Sequence, residues 1–449
     1  MKIVIVGAGT VGRHLAKTLS WREHEVSVID HNPDLVDRAR NTLDVLAIRG
    51  QGTSIRTLMD AGVESADLLI AVTSVDEVNI VACMLAQQMG AKKRIARVRS
   101  QEYSKPNIPV KLSDVGIDQI IHPELEAAHE VVKMIRYQNA IDVVECSGGR
   151  MMLVGLNVQD HSQVIGTKLK DVTPQFPNIS VRVVALLRRG KTIIPSGDDS
   201  IMPGDLIYTM CPANQLNQLF EILGKSNENS NDIMLLGGGL VGRLVAHELE
   251  QDKKLNIKLI ESDIKRSEIA AQELNNTMVV RGGEELDIDM MAIEGIEDMG
   301  VFAALSDDNE NNIVTSLFAR HLRVKRTITL IKKPEYMAIA RSIGLDAAVN
   351  ELILTSDAIL KHLIGQKIMA VSTLRGINAD IVEFSVGQNA KVVGKRLMDL
   401  KFPRQSLVGA IEHDGDVSVA VGSSVIHGGD RVVVFSMTEA VPKLDKMFA

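Results

Sequence analysis

The first residues whose spacing carries chemistry are glycines. Gly7-Ala8-Gly9-Thr10-Val11-Gly12 forms a G-x-G-x-x-G run directly behind the apolar residues 3–6. After a strand, such a run has a specific use: Gly7 permits a tight turn, Gly9 lets a pyrophosphate approach the backbone, and Gly12 lets a helix pack closely on the strand. The following residues place Val11, Leu15 and Leu19 on one helical face. The motif therefore opens a helix, whose free N–H groups and partial positive charge favour phosphate. Asp30 stands 18 residues after Gly12, at the end of a second apolar stretch, where its carboxylate can accept hydrogen bonds from both ribose hydroxyls. It would repel a 2′-phosphate, which favours NAD(H) over NADP(H). The glycines alone could be a steric turn; the strand before, the helix after and the acid beyond make the dinucleotide reading the stronger one.

The same constellation is written again. Asp232 opens DIMLLGGGLVG, so Gly237, Gly239 and Gly242, with Leu240 and Val241 between them, match the first motif at an offset of 230, and Glu261 follows 19 residues after Gly242 as a second ribose acceptor. Glu77 and Asn79 answer Glu310 and Asn312 at an offset of 233, and Gly116-Ile117-Asp118 answers Gly344-Leu345-Asp346 at 228. Val164-Ile165-Gly166 answers Val392-Val393-Gly394, and Pro203-Gly204-Asp205 answers Gly428-Gly429-Asp430. Landmarks in one order with small shifts of register mark an internal repeat. One difference bears on chemistry: Arg97, a cation that can meet phosphate, aligns with Leu330.

Further polar residues fall where such a site needs them. Thr73 and Ser74 follow the fourth strand, at the edge where doubly wound sheets place ligands; they face ribose or phosphate, or else cap the next helix. Gln51, between Gly50 and Gly52, reaches an adenine edge or forms a plain turn. His122 and Glu124 touch a phosphate-bound cation or form a loop pair without metal.

The elements that must hold these residues can be read from periodicity. Short apolar stretches at 3–6, 25–29, 44–48, 68–72 and 94–98 alternate with helical patterns, which predicts an α/β, Rossmann-type doubly wound parallel sheet. From about residue 144 the pattern changes to strands and hairpin signals: 181–187, an Arg189-Gly190 turn, 192–194, Pro203-Gly204 and 206–209. This predicts a small α+β domain. The expected domains are 1–124 and 144–228 in the first repeat, and 232–352 and 368–449 in the second. Residues 123–137 carry Leu125, Ala128, Val132 and Ile135 at helical spacing and can bridge one domain to the next or pack against a partner. The polar residues 225–231 read as a linker between the repeats.

Composition narrows the function. The 449 residues, 45% hydrophobic and 24% charged with 12 prolines, supply ample core for several domains. A net charge of −7 argues against nucleic acid. Three scattered cysteines, Cys83, Cys146 and Cys211, form no C-x-x-C pair and fit a reducing compartment. Apolar runs of about five residues fall far short of the ~20 needed to span a bilayer. With a strand beginning at the second residue there is no room for a secretory leader, so a cytoplasmic location is expected. An NAD-dependent oxidoreductase is the alternative, but none of Tyr103, Tyr137, Tyr208 and Tyr336 starts a Y-x-x-x-K pair, and the eleven histidines show no metal-ligand spacing. The pattern points to binding rather than catalysis.

This arrangement resembles the RCK (KTN) family, and two units in one chain of this length resemble the regulatory subunits of Trk potassium-uptake systems. The residues that carry the likeness are Gly7 to Gly12, Asp30, Gly50-Gln51-Gly52-Thr53, Thr73-Ser74 with Glu77 and Asn79, Ile95-Ala96-Arg97, His122-Pro123-Glu124 and the Pro203-Gly204-Asp205 turn. The commoner RCK pattern has Asp where Gln51 stands. The resemblance implies a non-enzymatic subunit that binds NAD(H) or ATP/ADP, with Arg13 or Arg97 available to a third phosphate. It also implies assembly into a ring, with a homotetramer of eight units as the leading expectation. The ring would sit peripherally on the cytoplasmic face of the inner membrane, docked on a Trk-type potassium-translocating membrane subunit.

Overall fold

The computed structural model describes residues 1–21, 24–104, 113–225, 230–282, 288–340, 342–363, 368–373, 379–403 and 405–448; residues 226–229 of the expected linker lie outside these. Strands β1 (Lys2–Val6), β2 (Glu25–Asp30), β3 (Leu46–Arg49), β4 (Leu68–Ala71), β5 (Lys93–Arg97) and β6 (Gln119–Ile121) form a parallel sheet in the order β3-β2-β1-β4-β5-β6. Helices cover both faces of such a sheet, so its central strands are continuous apolar runs; all four residues of β4 are buried, as are Ile3 to Val6 of β1. The chain runs outward one way from β1 and then the other way from β4. The C-terminal ends of these two strands therefore form the switch point where α/β sheets bind ligands. Strand β3 starts at Leu46 rather than 44, because the chain is still leaving helix Pro33–Thr42: the Leu43 N–H bonds back to the Ala39 carbonyl at 3.0 Å.

The small domain of the first repeat contains β7 (Asp142–Cys146), β8 (Met151–Asn157), β9 (Arg182–Arg188), β10 (Lys191–Ile193) and β11 (Leu206–Pro212), antiparallel in the order β10-β9-β11-β8-β7. Arg189 and Gly190, both with positive φ (50° and 75°), make the β9–β10 hairpin turn. The second repeat follows the same plan. Strands β12 (Asp232–Leu236), β13 (Asn256–Glu261), β14 (Thr277–Arg281), β15 (Val301–Ala304), β16 (Arg326–Leu330) and β17 (Ala347–Val349) take the order β14-β13-β12-β15-β16-β17. Strands β18 (Ile368–Thr373), β19 (Ala379–Ser385), β20 (Ser406–His413), β21 (Asp416–Val419) and β22 (Arg431–Met437) take the order β18-β19-β22-β20-β21.

The inner strands of the small sheets are buried on both faces, and their alternating residues show why. In β8, Met152, Val154 and Leu156 enter the core of their own domain, while Met151 and Leu153 enter a second cluster that also contains Ile381, Val433 and Phe435 of the other small domain. The two small domains thus share a core, where each fully buried Leu, Ile or Phe is worth about 1.5–3 kcal/mol. Two compact units result. One comprises Met1–His129, Ile331–Ala338 and Val349–Ile359, and the other holds the remaining segments, including both small domains. No helix among the described residues is long and apolar enough to cross a membrane.

Candidate nucleotide-binding site

The first glycine loop is built as its residue types require. Gly7 has φ of 108°, a left-handed conformation that disfavours any side chain, and a Cβ at Gly12 would lie 1.8 Å from the Gly7 carbonyl oxygen. Ala8 and Val11 are buried, Thr10 is exposed at the start of helix Thr10–Trp21, and Gly9 is half-buried. A Cβ at Gly9 would meet no heavy atom of the described residues within 4 Å. The loop is open on that side, where a phosphate would lie. Asp30, at the end of β2, leans back onto the loop: one carboxylate oxygen accepts the Ala8 N–H at 2.7 Å, the other the Asn32 N–H at 2.8 Å. A carboxylate oxygen can accept two hydrogen bonds, so capacity for ribose hydroxyls is left on both.

Beside the loop, the ends of β4 and β5 are joined by a fully buried asparagine. Asn79 accepts the Thr73 N–H (2.9 Å) and the Thr73 hydroxyl (2.7 Å), and donates to the carbonyls of Thr73 (3.1 Å) and Arg97 (2.8 Å). The hydroxyl of Thr73 is thus donated within the protein, while Ser74 is exposed. Gln51 is exposed past the end of β3, and its carbonyl accepts from the Ser54 N–H.

Cations gather at the same edge. Arg13, one residue after Gly12, and Arg97, at the end of β5, each have a buried Nε with no hydrogen-bond partner among the described residues. Burial pulls the Arg97 guanidinium down from its usual value, and the negative charge of Glu124 opposes that shift. Arg99 pairs with Glu124 at 2.8 Å, and the N–H groups of Arg99 and Ser100 both donate to Asp76, each at 2.9 Å. The other Glu124 oxygen is buried without a partner. Burial also pulls the neighbouring His122 imidazole below its usual value. Glu351 belongs to the same compact unit and is an electrostatic neighbour of Arg97, Arg99 and Glu124; burial pushes its carboxyl up, with Lys332 opposing. These groups form a half-buried charged edge with unsatisfied guanidinium capacity, suited to an anion.

The second loop has the same backbone and different company. Gly237 has φ of 109°, and a Cβ at Gly242 would lie 1.9 Å from the Gly237 carbonyl oxygen. Leu240 is half-buried and Val241 buried at the start of helix Leu240–Leu249. Glu261 accepts the Gly238 N–H at 2.6 Å and the Asp263 N–H at 2.8 Å, as Asp30 does in the first copy. Asn312 repeats the clasp between Ser306 and the Leu330 carbonyl. Over Gly239, however, the Arg266 guanidinium stands 3.7 Å from where a Cβ would be, and it is paired to Asp307 at 2.8 Å. Arg243, the counterpart of Arg13, is spent on Glu273 (2.7 Å) and the Gly238 carbonyl (2.9 Å).

With this geometry in view, comparison with known proteins is informative. Models of the TrkA-N domain match residues 3–123 and 233–351, and models of the TrkA-C domain match 153–224 and 381–449. The chain belongs to the TrkA family. It is 34% identical to Trk system potassium uptake protein TrkA homolog 2 of Methanosarcina mazei over the full length of both chains. It is 31% identical to the TrkA protein of Azorhizobium caulinodans, covering all of this chain and 98% of that one. Among solved structures, the GsuK channel bound to NAD aligns with a TM-score of 0.62 at 18% identity, covering 99% of this chain and 78% of that one. The GsuK RCK domain aligns with 0.61 at 18%, covering 99% and 94%. The architecture is therefore two tandem TrkA-N/TrkA-C units, each a Rossmann-type sheet followed by a small antiparallel sheet.

Within the TrkA-N domains, sequence reasoning singled out the glycines and acids but gave no role to Asn79 and Asn312, which hold the strand ends together. Their signal was present, an asparagine repeated at one place in both halves. No comparable signal marked Arg266, Asp307 or Glu351, since each acts on residues remote in sequence.

Proposed function

We propose that this TrkA chain is a nucleotide-responsive regulatory subunit of a Trk-type potassium-uptake system, and that its first TrkA-N domain is the principal ligand site. The observation that carries the reading is the open first loop: nothing stands over Gly9, Asp30 keeps acceptor capacity, and Arg13 and Arg97 have unspent donors at the same sheet edge. Gly7 to Gly12 would take the phosphates, Asp30 the ribose, Arg97 the phosphate charge, and Ser74 and Gln51 the outer parts of the ligand. NAD(H) and ATP/ADP share the chemistry this edge recognises; the likeness in fold to a channel solved with NAD makes NAD(H) the first ligand to test. The protein would act by binding. Docked peripherally on the cytoplasmic face of a potassium-translocating membrane subunit, a ring of these chains would pass ligand occupancy to the pore as a change of shape. A homotetramer would bring eight TrkA-N/TrkA-C units into one closed assembly. Such coupling requires that the competing ligands bind two ring states with different affinity.

Calorimetric titration of the full chain with NADH, NAD⁺, ATP and ADP tests the site. Potassium flux in vesicles containing the membrane subunit, with and without this chain, tests the function. Saturable binding with ligand-dependent flux is expected. Flux indifferent to every nucleotide would sink the regulatory reading, and steady NADH oxidation with a small metabolite would point to an oxidoreductase instead.

A further inference from the structure

The two TrkA-C domains are built alike, yet the buried carboxylate at one place in each keeps different company. In the first, Asp205 is 1% exposed and is held by Arg188, with Nε to Oδ1 at 2.8 Å and Nη2 to Oδ2 at 2.7 Å, and by the Met202 N–H at 2.9 Å. An offset of 225 residues carries Asp205 to Asp430, Arg188 to His413 and Met202 to His427. Asp430 is just as buried, at 2%, and accepts the His427 N–H at 2.7 Å, repeating the Met202 contact. The fixed guanidinium has been replaced by two imidazoles. Nδ1 of His413 lies 2.6 Å from Asp430 Oδ1, Nδ1 of His427 lies 3.6 Å from Oδ2, and the ring planes are tilted by 35° with centroids 4.3 Å apart. One ligand atom from each of the three residues lies within 4.8 Å of the other two.

We infer that His413, His427 and Asp430 form a binding site for a divalent transition-metal ion of the zinc class. The donor set decides the class: two imidazole nitrogens and a carboxylate suit Zn²⁺, Ni²⁺ or Cu²⁺, whereas Mg²⁺ and Ca²⁺ take oxygen ligands. Zinc bonds of 2.0–2.2 Å to nitrogen and oxygen give a tetrahedron with edges of about 3.3 Å. The two ring-to-carboxylate separations fall on either side of that edge. Both rings are half exposed and free to turn by the small amount required, while Asp430 is anchored by the His427 N–H. The site joins the end of β20 to the loop ahead of β22, and its ion supplies the positive charge that Arg188 supplies in the first domain. Water completes the coordination, while the exposed Asp414 carboxylate, 3.6 Å from His413 Nε2, faces the other edge of that ring and can orient it.

The test uses the untagged full chain, stripped with chelator and titrated with ZnCl₂ by calorimetry and with Co²⁺ by visible absorption. One strong site per chain is expected, with cobalt bands of tetrahedral intensity and a rise in Tm on adding zinc. The double substitution His413→Arg with His427→Met rebuilds the arrangement of the first domain, so it is expected to fold; it should weaken zinc binding at least ~10-fold and abolish the zinc-dependent rise in Tm. His427→Gln alone, at a half-exposed side chain, should weaken binding to a similar degree. Zinc affinity equal in wild type and both variants would overturn the assignment. So would wild-type binding no tighter than about 100 µM, which would leave a proton on His413 as the counter-charge to Asp430.

Discussion

The two TrkA-N domains share a backbone and differ in what stands over the glycine loop. Both use a left-handed glycine, a third glycine pressed against the first, an acid that folds back onto the loop amides, and an asparagine that ties two strand ends together. In the first the loop is open and two guanidiniums hold unspent donors. In the second the Arg266–Asp307 pair stands over Gly239, Arg243 is bonded, and Leu330 takes the place of Arg97. The features common to both are those the fold needs. Capacity for an anion is carried by a handful of side chains that the fold leaves free to vary, which is why fold alone does not give function.

The comparison breaks most easily at the middle glycine. Gly9→Asp should fold, because its side chain enters open space, yet it sets a carboxylate where the proposed site would hold phosphate; like-charge contact of this kind costs several kcal/mol, so affinity should fall at least ~100-fold. Gly239→Asp in the second domain should leave total binding nearly unchanged. Equal losses measured by titration would show that the two sites carry equal weight. Gly12→Ala is not a substitute, since its Cβ would collide with the Gly7 carbonyl and test folding instead.

A smaller effect is expected at the ribose acid. Asp30→Ala would remove the proposed ribose hydrogen bonds along with those to Ala8 and Asn32, and at ~1–3 kcal/mol should weaken ribose-containing ligands about 5- to 150-fold. Inorganic pyrophosphate, which has no ribose, should lose much less. A parallel loss for both ligands would mean that Asp30 shapes the loop rather than reading the sugar.

The difference can also be reduced from the other side. Asp307→Ser places in the second domain the residue type found at Ser74, and frees Arg266 to face an anion over Gly239. An exposed ion pair is worth only ~0–1 kcal/mol, so stability should barely change. Affinity of the second domain for ATP, measured in the Gly9→Asp background, should rise on the order of tenfold. No gain would mean that Leu330 and the bonded Arg243 limit this site.

How much of this was legible beforehand follows from the range over which each feature acts. The glycine turns, Asp30, Glu261 and the first five strands along the chain are set by local pattern, so they could be read from the sequence, with strand ends moving by a residue or two. The β9–β10 hairpin at Arg189-Gly190 and the turn at Pro203-Gly204 ahead of β11 were legible through turn chemistry. The shared core of the two small domains was not, because the continuous apolar runs around Met151 and Phe435 read as strands buried on both faces, yet nothing local says which surface covers the second face. Likewise Arg266 meets Asp307 across 41 residues, and Glu351 joins the first compact unit from a segment more than two hundred residues beyond Arg97. Thr73 was placed at the sheet edge but its hydroxyl is committed to Asn79, a choice of partner that spacing does not reveal.

The smallest expected effect concerns Glu351, the acid from the second repeat that stands among the charges of the first site. Burial pushes its carboxyl above the usual carboxylate value, with Lys332, Arg97 and Arg99 pulling the other way. The folded state therefore holds this proton more tightly than the unfolded chain does. Its stabilising contribution is fully present below the unfolded pKa and is lost as pH rises through the folded value. At neutral pH the carboxylate of the unfolded chain is ionised, and burying it, either charged or with a proton taken up, is a cost that Glu351→Gln removes while preserving shape. The variant should melt on the order of 1–3 °C higher than wild type at pH 7, with the gap closing as pH falls through the carboxylate range. It should also tighten ATP slightly, since a negative neighbour of Arg97 is gone, and the corresponding gain should be absent in an Arg97→Leu background. A variant that melts lower at pH 7 would show that Glu351 is held by its cations rather than penalised by burial, and the first site would then owe part of its order to a charge the second repeat supplies.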